Sequence, residues 1–214
     1  MAVEKLIVDH IDTWTTALQT RSTAGRGSSG KIDLYGIKKL RELILELAVR
    51  GKLVPQDPND EPASVLLERI ATEKAELVKL GKIKKPKPLP EISEEEKPFE
   101  LPVGWEWVRL GTLFNSIQSG GTPSKINPAF WGGDIPWASV KDLGSSQYIS
   151  KTQDYITEAG LLSGSKLADS GDVLICTRMG LGKIAIASCP IAFNQDLKSV
   201  KLTSNIIPDF FFNT

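Results

Sequence analysis

The segment SGGTPSK, residues 119–125, places two glycines, a proline, three hydroxyls and a lysine in succession. Glycine lets the backbone adopt conformations that are closed to other residues, so such a loop can approach a phosphate group closely. Thr122, Ser124 and Lys125 carry suitable donors to phosphate oxygens. An equally simple interpretation is a tight turn whose hydroxyls are solvated.

Two further strings resemble functional motifs but lack essential parts. Residues 127–130, NPAF, come close to the Asn-Pro-Pro-aromatic string with which adenine-N6 methyltransferases hold a flipped base, but the second proline is missing. No glycine-rich turn for S-adenosylmethionine precedes them. We therefore interpret NPAF as a structural loop leading to Trp131. Residues 180–183, GLGK, lack the upstream spacing and the Ser or Thr of a phosphate loop.

The composition excludes several other classes of site. The chain has two cysteines, Cys176 and Cys189, and one histidine, His10, so zinc-ligand spacing and a histidine-based catalytic triad are absent. We expect both thiols to be buried and reduced, and we predict no catalytic residue, no metal site and no bound cofactor.

Charge and hydropathy limit the classes of protein to which the chain can belong. Lys plus Arg and Asp plus Glu number 26 each, and both sides of residue 100 are balanced, which counts against a nonspecific nucleic-acid binder. No apolar run reaches the ~18 residues of a membrane-spanning helix, and the first residues lack the pattern of a signal peptide. These features predict a cytoplasmic location.

Three amphipathic helices are expected in the first part of the chain. Apolar residues recur at helical spacing over residues 3–18. A second stripe runs over residues 37–48 before Gly51, a suitable residue just beyond a helix end. A third helix begins around Pro62 and ends at Gly81. We expect the three stripes to bury one another.

Two segments are predicted to be connections. Residues 21–30, RSTAGRGSSG, have the composition of a flexible linker, whose arginines either belong to a solvated tether or touch a phosphate. Residues 82–102 contain five prolines and blocks of opposite charge, which predicts an extended connection. Its basic half is either solvated or in contact with a phosphate backbone. The predicted domains are residues 1–30, 31–100 and 101–214.

The last domain is predicted to be mainly β. The alternating run Trp105–Leu110 predicts a strand that opens it, between Gly104 and Gly111. The fold class is therefore α+β, with helices arranged as a helical hairpin or coiled-coil-like pair before the β domain. Further strands are predicted at residues 172–176, 183–188 and 198–202, and a short helix at residues 157–163.

Six blocks in a fixed order carry a family resemblance: LPVGWEWVRLG, SGGTPS, FWGGDIPW, DYITEAGL, GDVLICTR and FNQD. Together they resemble the target recognition domain of type I restriction-modification specificity subunits. Residues 39–70 are similar to the conserved helical segment of the same family. Only the beginning of the chain falls outside the resemblance.

The resemblance implies a noncatalytic subunit that reads double-stranded DNA. In that family, two target recognition domains read the halves of a split site, and helices space them while docking methylation subunits, which hold S-adenosylmethionine; a restriction subunit joins the complex. Carried over, the second and third helices would contact the methylation subunits. The residues expected at that contact are Leu40, Leu43, Ile44, Leu47, Leu66, Ile70 and Leu77.

The expected DNA contacts fall into two groups. Side chains that can form two hydrogen bonds to one base, such as Arg, Asn and Gln, are suited to reading bases, whereas hydroxyls and lysines more often bind phosphates. Arg178 alternatively pairs with Asp172, and Gln195 alternatively caps a turn. Trp131 and Trp137 are assigned to the core and not to base stacking. For bases we favour Arg178, Gln195, Lys141 and Gln147, and for the DNA backbone Thr122, Ser124, Lys125 and Lys183.

The chain departs from the family pattern by stopping at FFFNT, before the expected end of the first recognition domain, with no central helical region and no second domain. We expect a fragment whose Phe210, Phe211 and Phe212 would favour aggregation if they were exposed. Two copies related by a dyad could read a palindromic split site, which makes a homodimer through the helices a hypothesis. Two alternatives stay open: an interaction module that docks on methylation subunits without reading DNA, and an enzyme acting on nucleic acid.

Overall fold

The computed structural model describes residues 3–21 and 31–213, which form two compact units. The first unit contains the described residues up to Ser64 together with Ile92–Trp107, and the second contains Val65–Glu91 and the residues from Val108 onward. The predicted α+β class is confirmed, because the helices come first and the strands lie mostly after residue 113. The domain boundaries near residues 30 and 100 remain predictions. Among the described helices, none is both long and apolar enough to cross a membrane.

The single helix expected over residues 3–18 is wrong. The chain forms α1 (Val3–Asp9) and α2 (Ile11–Thr16), separated at His10, whose φ of −115° and ψ of 20° lie outside the helical range. Neither helix buries a residue completely, so burial of a shared apolar stripe does not hold the segment in one continuous helix. Strands β1 (Gln19–Arg21) and β2 (Lys31–Asp33) then pair antiparallel, which the sequence did not predict. Most of the expected flexible linker lies outside the described residues.

The ends of the two longer helices follow the prediction. Helix α3 (Tyr35–Val49) ends before Gly51, whose φ is +63°. The Gly51 N–H donates to Ala48 O at 3.0 Å and the Lys52 N–H to Leu47 O at 2.7 Å, the pair of bonds that defines a Schellman cap. Helix α4 (Ala63–Lys79) ends in the same way at Gly81, with φ of +67°. A left-handed residue satisfies the last carbonyls in both cases, which is why glycine marks both ends.

The apolar stripes are buried less than expected. Helix α3 buries only Gly36, where an added Cβ would lie 2.0 Å from Trp14 O and where α2 approaches it. Helix α4 buries only Ile70. Each stripe thus contributes little fully buried surface, and much of the α3 stripe stays accessible.

The strand predicted at Trp105–Leu110 is wrong. This stretch is extended but unpaired, and a single 3-10 turn follows it at Leu110–Leu113. Its aromatic residues pack on the first unit instead: the Trp107 ring lies 4.9 Å from Phe99, and Trp105 Nε1 donates to Gln56 Oε1 at 2.9 Å. The two alternating tryptophans thus make separate contacts within the first unit, and such a pair has the same sequence pattern as a strand. The preceding connection is extended, as predicted, apart from one 3-10 turn at Glu94–Glu96.

Two sheets make up most of the second unit. One has the strand order β6-β4-β10-β7 and the other β3-β11-β8-β9-β5; the pairs β4/β10 and β5/β9 are parallel and the other pairs in these two sheets are antiparallel. The predicted strands near residues 172, 183 and 198 and the helix near residue 157 are confirmed. The elements are β3 (Phe114–Ser119), β4 (Trp131–Ala138), β5 (Tyr148–Ile149), β6 (Asp154–Ile156), α5 (Glu158–Leu162), β7 (Lys166–Ala168), β8 (Val173–Cys176), β9 (Ile184–Ala187), β10 (Ile191–Phe193), β11 (Leu197–Leu202) and α6 (Pro208–Asn213).

The main core lies between these sheets. Leu174, Cys176 and Leu197 of the larger sheet share a cluster with Ile191 and Phe193 of the smaller one. Alternate residues of the larger sheet, such as Val173 and Val200, point to its other face, as the two-residue period of a strand requires. Both faces of this sheet are therefore covered.

Helix α6 contributes to the cover of the second face. Phe211 and Phe212 pack against the Val173 cluster, and Phe211 meets Phe114 edge-on at 5.4 Å between ring centroids. Only Phe210 is largely exposed. The helix thus turns two of the three phenylalanines onto the sheet and leaves one at the surface.

One carboxylate fastens α4 to the strands of the second unit. Glu73 accepts hydrogen bonds from Asn115 Nδ2 at 2.9 Å, from Ser204 Oγ at 2.6 Å and from Asn205 Nδ2 at 3.0 Å. Burial opposes ionisation of this group, but the hydrogen bonds outweigh it, and the pKa of Glu73 is lowered. The ionised carboxylate thus joins α4, β3 and the turn after β11.

We expect Glu73→Ala to lower the free energy of unfolding by about 2 kcal/mol, because several donors lose a charged acceptor. Since the pKa of Glu73 is lower in the folded state, this stability is present above the unfolded pKa and is lost as the pH falls through the folded one. Urea unfolding at neutral and acidic pH measures the difference. Glu76→Ala, at an exposed position on the same helix, is the control. Equal destabilisation by both variants would contradict the role of Glu73.

Candidate functional site

Four loops meet at one end of the two sheets, where several strands finish. The loops follow the C-terminal ends of β3, β4, β8 and β10, and backbone hydrogen bonds join them: Gly121 N to Phe193 O at 2.9 Å, Asn194 N to Ala138 O at 3.0 Å and Thr177 N to Asp196 O at 3.0 Å. We call this region the loop end; it consists of residues 120–124, 139–144, 177–183 and 194–196. Loops held by a rigid scaffold are the usual location of binding residues.

The two glycines of SGGTPS permit close approach to other protein backbone. A Cβ on Gly120 would lie 2.2 Å from Asn194 O, and one on Gly121 would lie 1.9 Å from Gly164 O. Neither glycine has a positive φ, and the segment is not a tight turn. The interpretation of this loop as a tight turn is therefore wrong, because the glycines allow it to approach protein backbone. Contact between this loop and a phosphate remains a prediction.

Two tryptophans hold the same loop from one side. The rings of Trp131 and Trp137 meet edge-on at 5.1 Å between centroids. Trp131 Nε1 donates to Ser124 O at 3.1 Å, and Trp137 Nε1 donates to Gly121 O at 3.2 Å. Trp137 is 4% exposed and Trp131 is half-buried, which confirms their assignment to the core. The NPAF string is confirmed as a structural loop, since Asn127 caps a 3-10 turn that leads into Trp131.

The structure brings Thr122 and Gln195 together. The Thr122 hydroxyl donates to Gln195 Oε1, and Gln195 is exposed. This bond leaves the amide N–H groups of Gln195 without a protein partner in residues 3–21 and 31–213. The sequence analysis missed the neighbours that shape this turn: Asn194 is buried, and its side chain binds the N–H and the carboxylate of Asp196. The asparagine and aspartate of FNQD are the turn-forming residues that could have indicated it.

Arg178 lies near the tip of the hairpin between β8 and β9. Its guanidinium is 4.0 Å from Asp196 Oδ1, and its side chain is 68% exposed. The alternative pairing with Asp172 is wrong, because Asp172 is buried and accepts from Ser199 Oγ at 2.9 Å and from Asp169 N at 3.1 Å. Burial raises the pKa of Asp172 in spite of these bonds. Arg178 is therefore available at the surface.

The two lysines predicted near this hairpin differ in their surroundings. Lys183 Nζ donates to Val140 O at 3.1 Å, and its side chain lies against Gly144 and Gly180. Lys183 thus braces the hairpin against the 139–144 loop. Lys141 is exposed, and its ammonium has no protein partner within the described part of the chain.

The remaining predicted DNA contacts are distributed more widely. Ser124 and Lys125 are exposed, and the Ser124 carbonyl accepts from Trp131 Nε1. Gln147 lies outside the loop end: its Nε2 donates to Asp209 Oδ1 at 2.7 Å, and the Tyr148 hydroxyl donates to the same oxygen. Gln147 therefore holds α6 in place. Contact with DNA by any of these residues remains a prediction.

The predicted helix contacts are largely accessible, with one exception. Ile70 is completely buried, so it can support a surface but cannot form one. The other six are half-buried: Leu40, Leu43, Ile44, Leu47, Leu66 and Leu77.

The geometry contains no constellation for metal chemistry. Within residues 3–21 and 31–213, no group of three or more His, Cys, Asp or Glu side chains could hold a metal ion. Both cysteines are free thiols, and Cys176 is buried as expected; the expectation that Cys189 is buried is wrong, because its side chain is half-buried. Burial raises the pKa of the Cys176 thiol, which keeps it protonated.

Comparison with known proteins decides the family. Residues 102–214, which include the whole loop end, match the type I restriction modification DNA specificity domain. The chain belongs to this family. It is 89% identical over 164 residues to the type I restriction enzyme EcoAI specificity subunit of Escherichia coli, an alignment that covers 72% of this chain and 26% of that protein. It is 81% identical over 113 residues to the EcoEI specificity subunit of the same species, covering 53% and 19% respectively.

The specificity-domain chain thus spans about a quarter or less of the length of these relatives. Among solved structures, it is similar to the HsdS subunit of Thermoanaerobacter tengcongensis, with 19% identity and a TM-score of 0.43 over 96% of this chain and 49% of that one. A chain from a study of complex assembly and conformational transition in the type I R-M system has 19% identity and a TM-score of 0.44 over the same shares.

We expect Gly121→Ala to destabilise the second unit by about 3 kcal/mol or more, because its methyl group would overlap a backbone carbonyl that cannot move freely. Gly132→Ala is the matched control: its Cβ would meet nothing within 4 Å, although its φ is +75°. Gly132→Ala should lower the free energy of unfolding only by the penalty for placing alanine in a left-handed conformation, about 1–2 kcal/mol. Urea unfolding compares the two variants, and equal losses would show that close approach is not what Gly121 provides.

Proposed function

We propose that this chain is a noncatalytic DNA sequence-recognition module of a type I restriction-modification complex, and that the loop end reads one half of a bipartite site. The observation that carries the proposal is the family match over residues 102–214, which spans all four loops. Sequence readers place a few exposed polar groups on a rigid scaffold, and the loop end has this arrangement. The partner would be double-stranded DNA, which implies a cytoplasmic location.

The contacts at the loop end support different roles for the predicted residues. Arg178 and Gln195 have donor groups available at the surface and are the proposed base readers. Lys141, which is exposed, is a further proposed base reader, and Thr122, Ser124 and Lys125 are the proposed backbone contacts. Lys183 and Gln147 act in this proposal through the scaffold, since their side chains already bind Val140 O and Asp209.

The helices are the proposed docking surface for methylation subunits, which would carry S-adenosylmethionine and, with a restriction subunit, the catalysis. The half-buried stripe of α3 supports this role, because accessible leucines at helical spacing are typical of a surface that a partner covers. Alternatively, a second copy of this chain covers the same stripe, so that the chain self-associates.

The first test is selection from a random-sequence DNA duplex pool at several salt concentrations. We expect enrichment of one sequence family and a linear fall of log affinity with log salt. Arg178→Gln should weaken binding about tenfold and relax the preference at one position, because one bidentate base contact is lost. Lys79→Gln, which removes an exposed positive charge from α4, should change neither. A chain that shows no enrichment and no salt dependence would instead be a docking module only.

The second test is co-expression with the cognate methylation subunit. We expect Leu47→Glu to abolish co-purification, since a buried charge in an apolar contact is costly. Leu45→Glu, on the same helix but outside the predicted stripe, should retain it. If Leu47→Glu leaves co-purification intact but removes a dimer seen by light scattering, the stripe mediates self-association instead.

A further inference from the structure

The hairpin tip, residues 177–182, exposes two apolar side chains that the proposed function has not used. Met179 is 72% exposed and Leu181 is 74% exposed. They alternate with Gly180 and Gly182, whose φ values are +73° and +87°. Since the glycines add no side chains, the tip narrows to one methionine and one leucine beside Arg178.

Hydrogen bonds at the base of the hairpin and a contact with the 139–144 loop hold the tip in place. Cys176 N donates to Lys183 O at 3.0 Å, and Lys183 N donates to Gly180 O at 3.1 Å, which closes the hairpin. The Lys183 side chain ties it to Val140 O, and a Cβ on Gly180 would lie 2.9 Å from Val140 Cγ1. A braced loop loses little conformational freedom on binding, so its apolar groups can contribute their full contact energy.

The charges around the tip favour a polyanion as its partner. Arg178 is exposed beside Met179, and Lys141 is exposed on the loop that Lys183 ties to the hairpin. The nearest carboxylate described for Arg178 is Asp196, at 4.0 Å, which positions the guanidinium without covering it. Apolar side chains flanked by cations are the combination with which proteins enter stacked base pairs while holding the phosphates on either side.

We propose that Met179 and Leu181 form a wedge that inserts at a base-pair step of duplex DNA bound at the loop end and kinks the duplex there. This inference rests on the proposed function and adds a mode of readout to it. A wedge prefers flexible pyrimidine–purine steps, because these cost least to unstack. The tip therefore contributes to specificity at a step where it makes no hydrogen bond to a base.

The test uses the full chain and a duplex enriched from the random pool, labelled at both ends with fluorescent dyes. We expect the double variant Met179→Ser, Leu181→Ser to bind about tenfold more weakly and to lose the bend reported by energy transfer between the dyes. The dependence of log affinity on log salt should stay unchanged, since no cation has been removed. Arg178→Gln should instead alter base preference.

Two further variants control for folding and for exposed apolar surface. Met179→Leu keeps an apolar group of similar size and should keep the bend. Ile207→Ser removes an exposed apolar side chain beyond the opposite end of β11 and should change neither affinity nor bend. The midpoint of thermal unfolding should be the same for all these variants, because each altered side chain is exposed.

Each other outcome overturns the wedge. If the double variant binds and bends the duplex normally while Arg178→Gln weakens binding, the wedge is wrong and the recognition function stands. If no duplex is enriched, both proposals fail. If the double variant binds DNA normally but no longer co-purifies with a methylation subunit, the tip is a protein contact.

Discussion

The close approach of Gly120 and Gly121 to the ends of both sheets is the contact on which the rest of the second unit depends. The Gly121 N–H donates to Phe193 O of the smaller sheet, and the Gly120 N–H donates to Leu197 O of the larger one, at 2.9 and 3.4 Å. No residue with a Cβ can occupy either place. The loop after β3 therefore joins the two sheets at the end where β3, β4, β8 and β10 finish. This junction forms the loop end.

Several polar groups at the loop end form hydrogen bonds within the protein that stabilise this junction. Asn194 and Asp196 shape the turn after β10, and Lys183 braces the hairpin against the 139–144 loop. What remains exposed is a small set that includes Arg178, Gln195 and Lys141. The separation of supporting from exposed groups is what a recognition surface requires, because forked side chains can read bases only if the backbone beneath them is rigid.

Glu73 performs a comparable task away from the loop end. Its carboxylate accepts from donors on β3 and in the turn after β11, so one ionised group joins α4 to two parts of the larger sheet. Two other residues of α4 also contact the rest of the second unit: Ile70 is completely buried, and Lys74 Nζ donates to Gly111 O at 3.2 Å.

The sequence by itself determined the helix ends at Gly51 and Gly81, three of the strands and the family. These features depend on local backbone conformation, on side-chain periodicity or on ordered motifs. Only the tertiary structure decided that Trp107 packs on Phe99 and Trp105 binds Gln56, that Gln147 and Lys183 bind other protein groups, and that the SGGTPS glycines meet protein backbone. Most of these depend on a partner distant in sequence, such as Gln56, Asp209 or Gly164, and no local pattern records which partner the fold will supply.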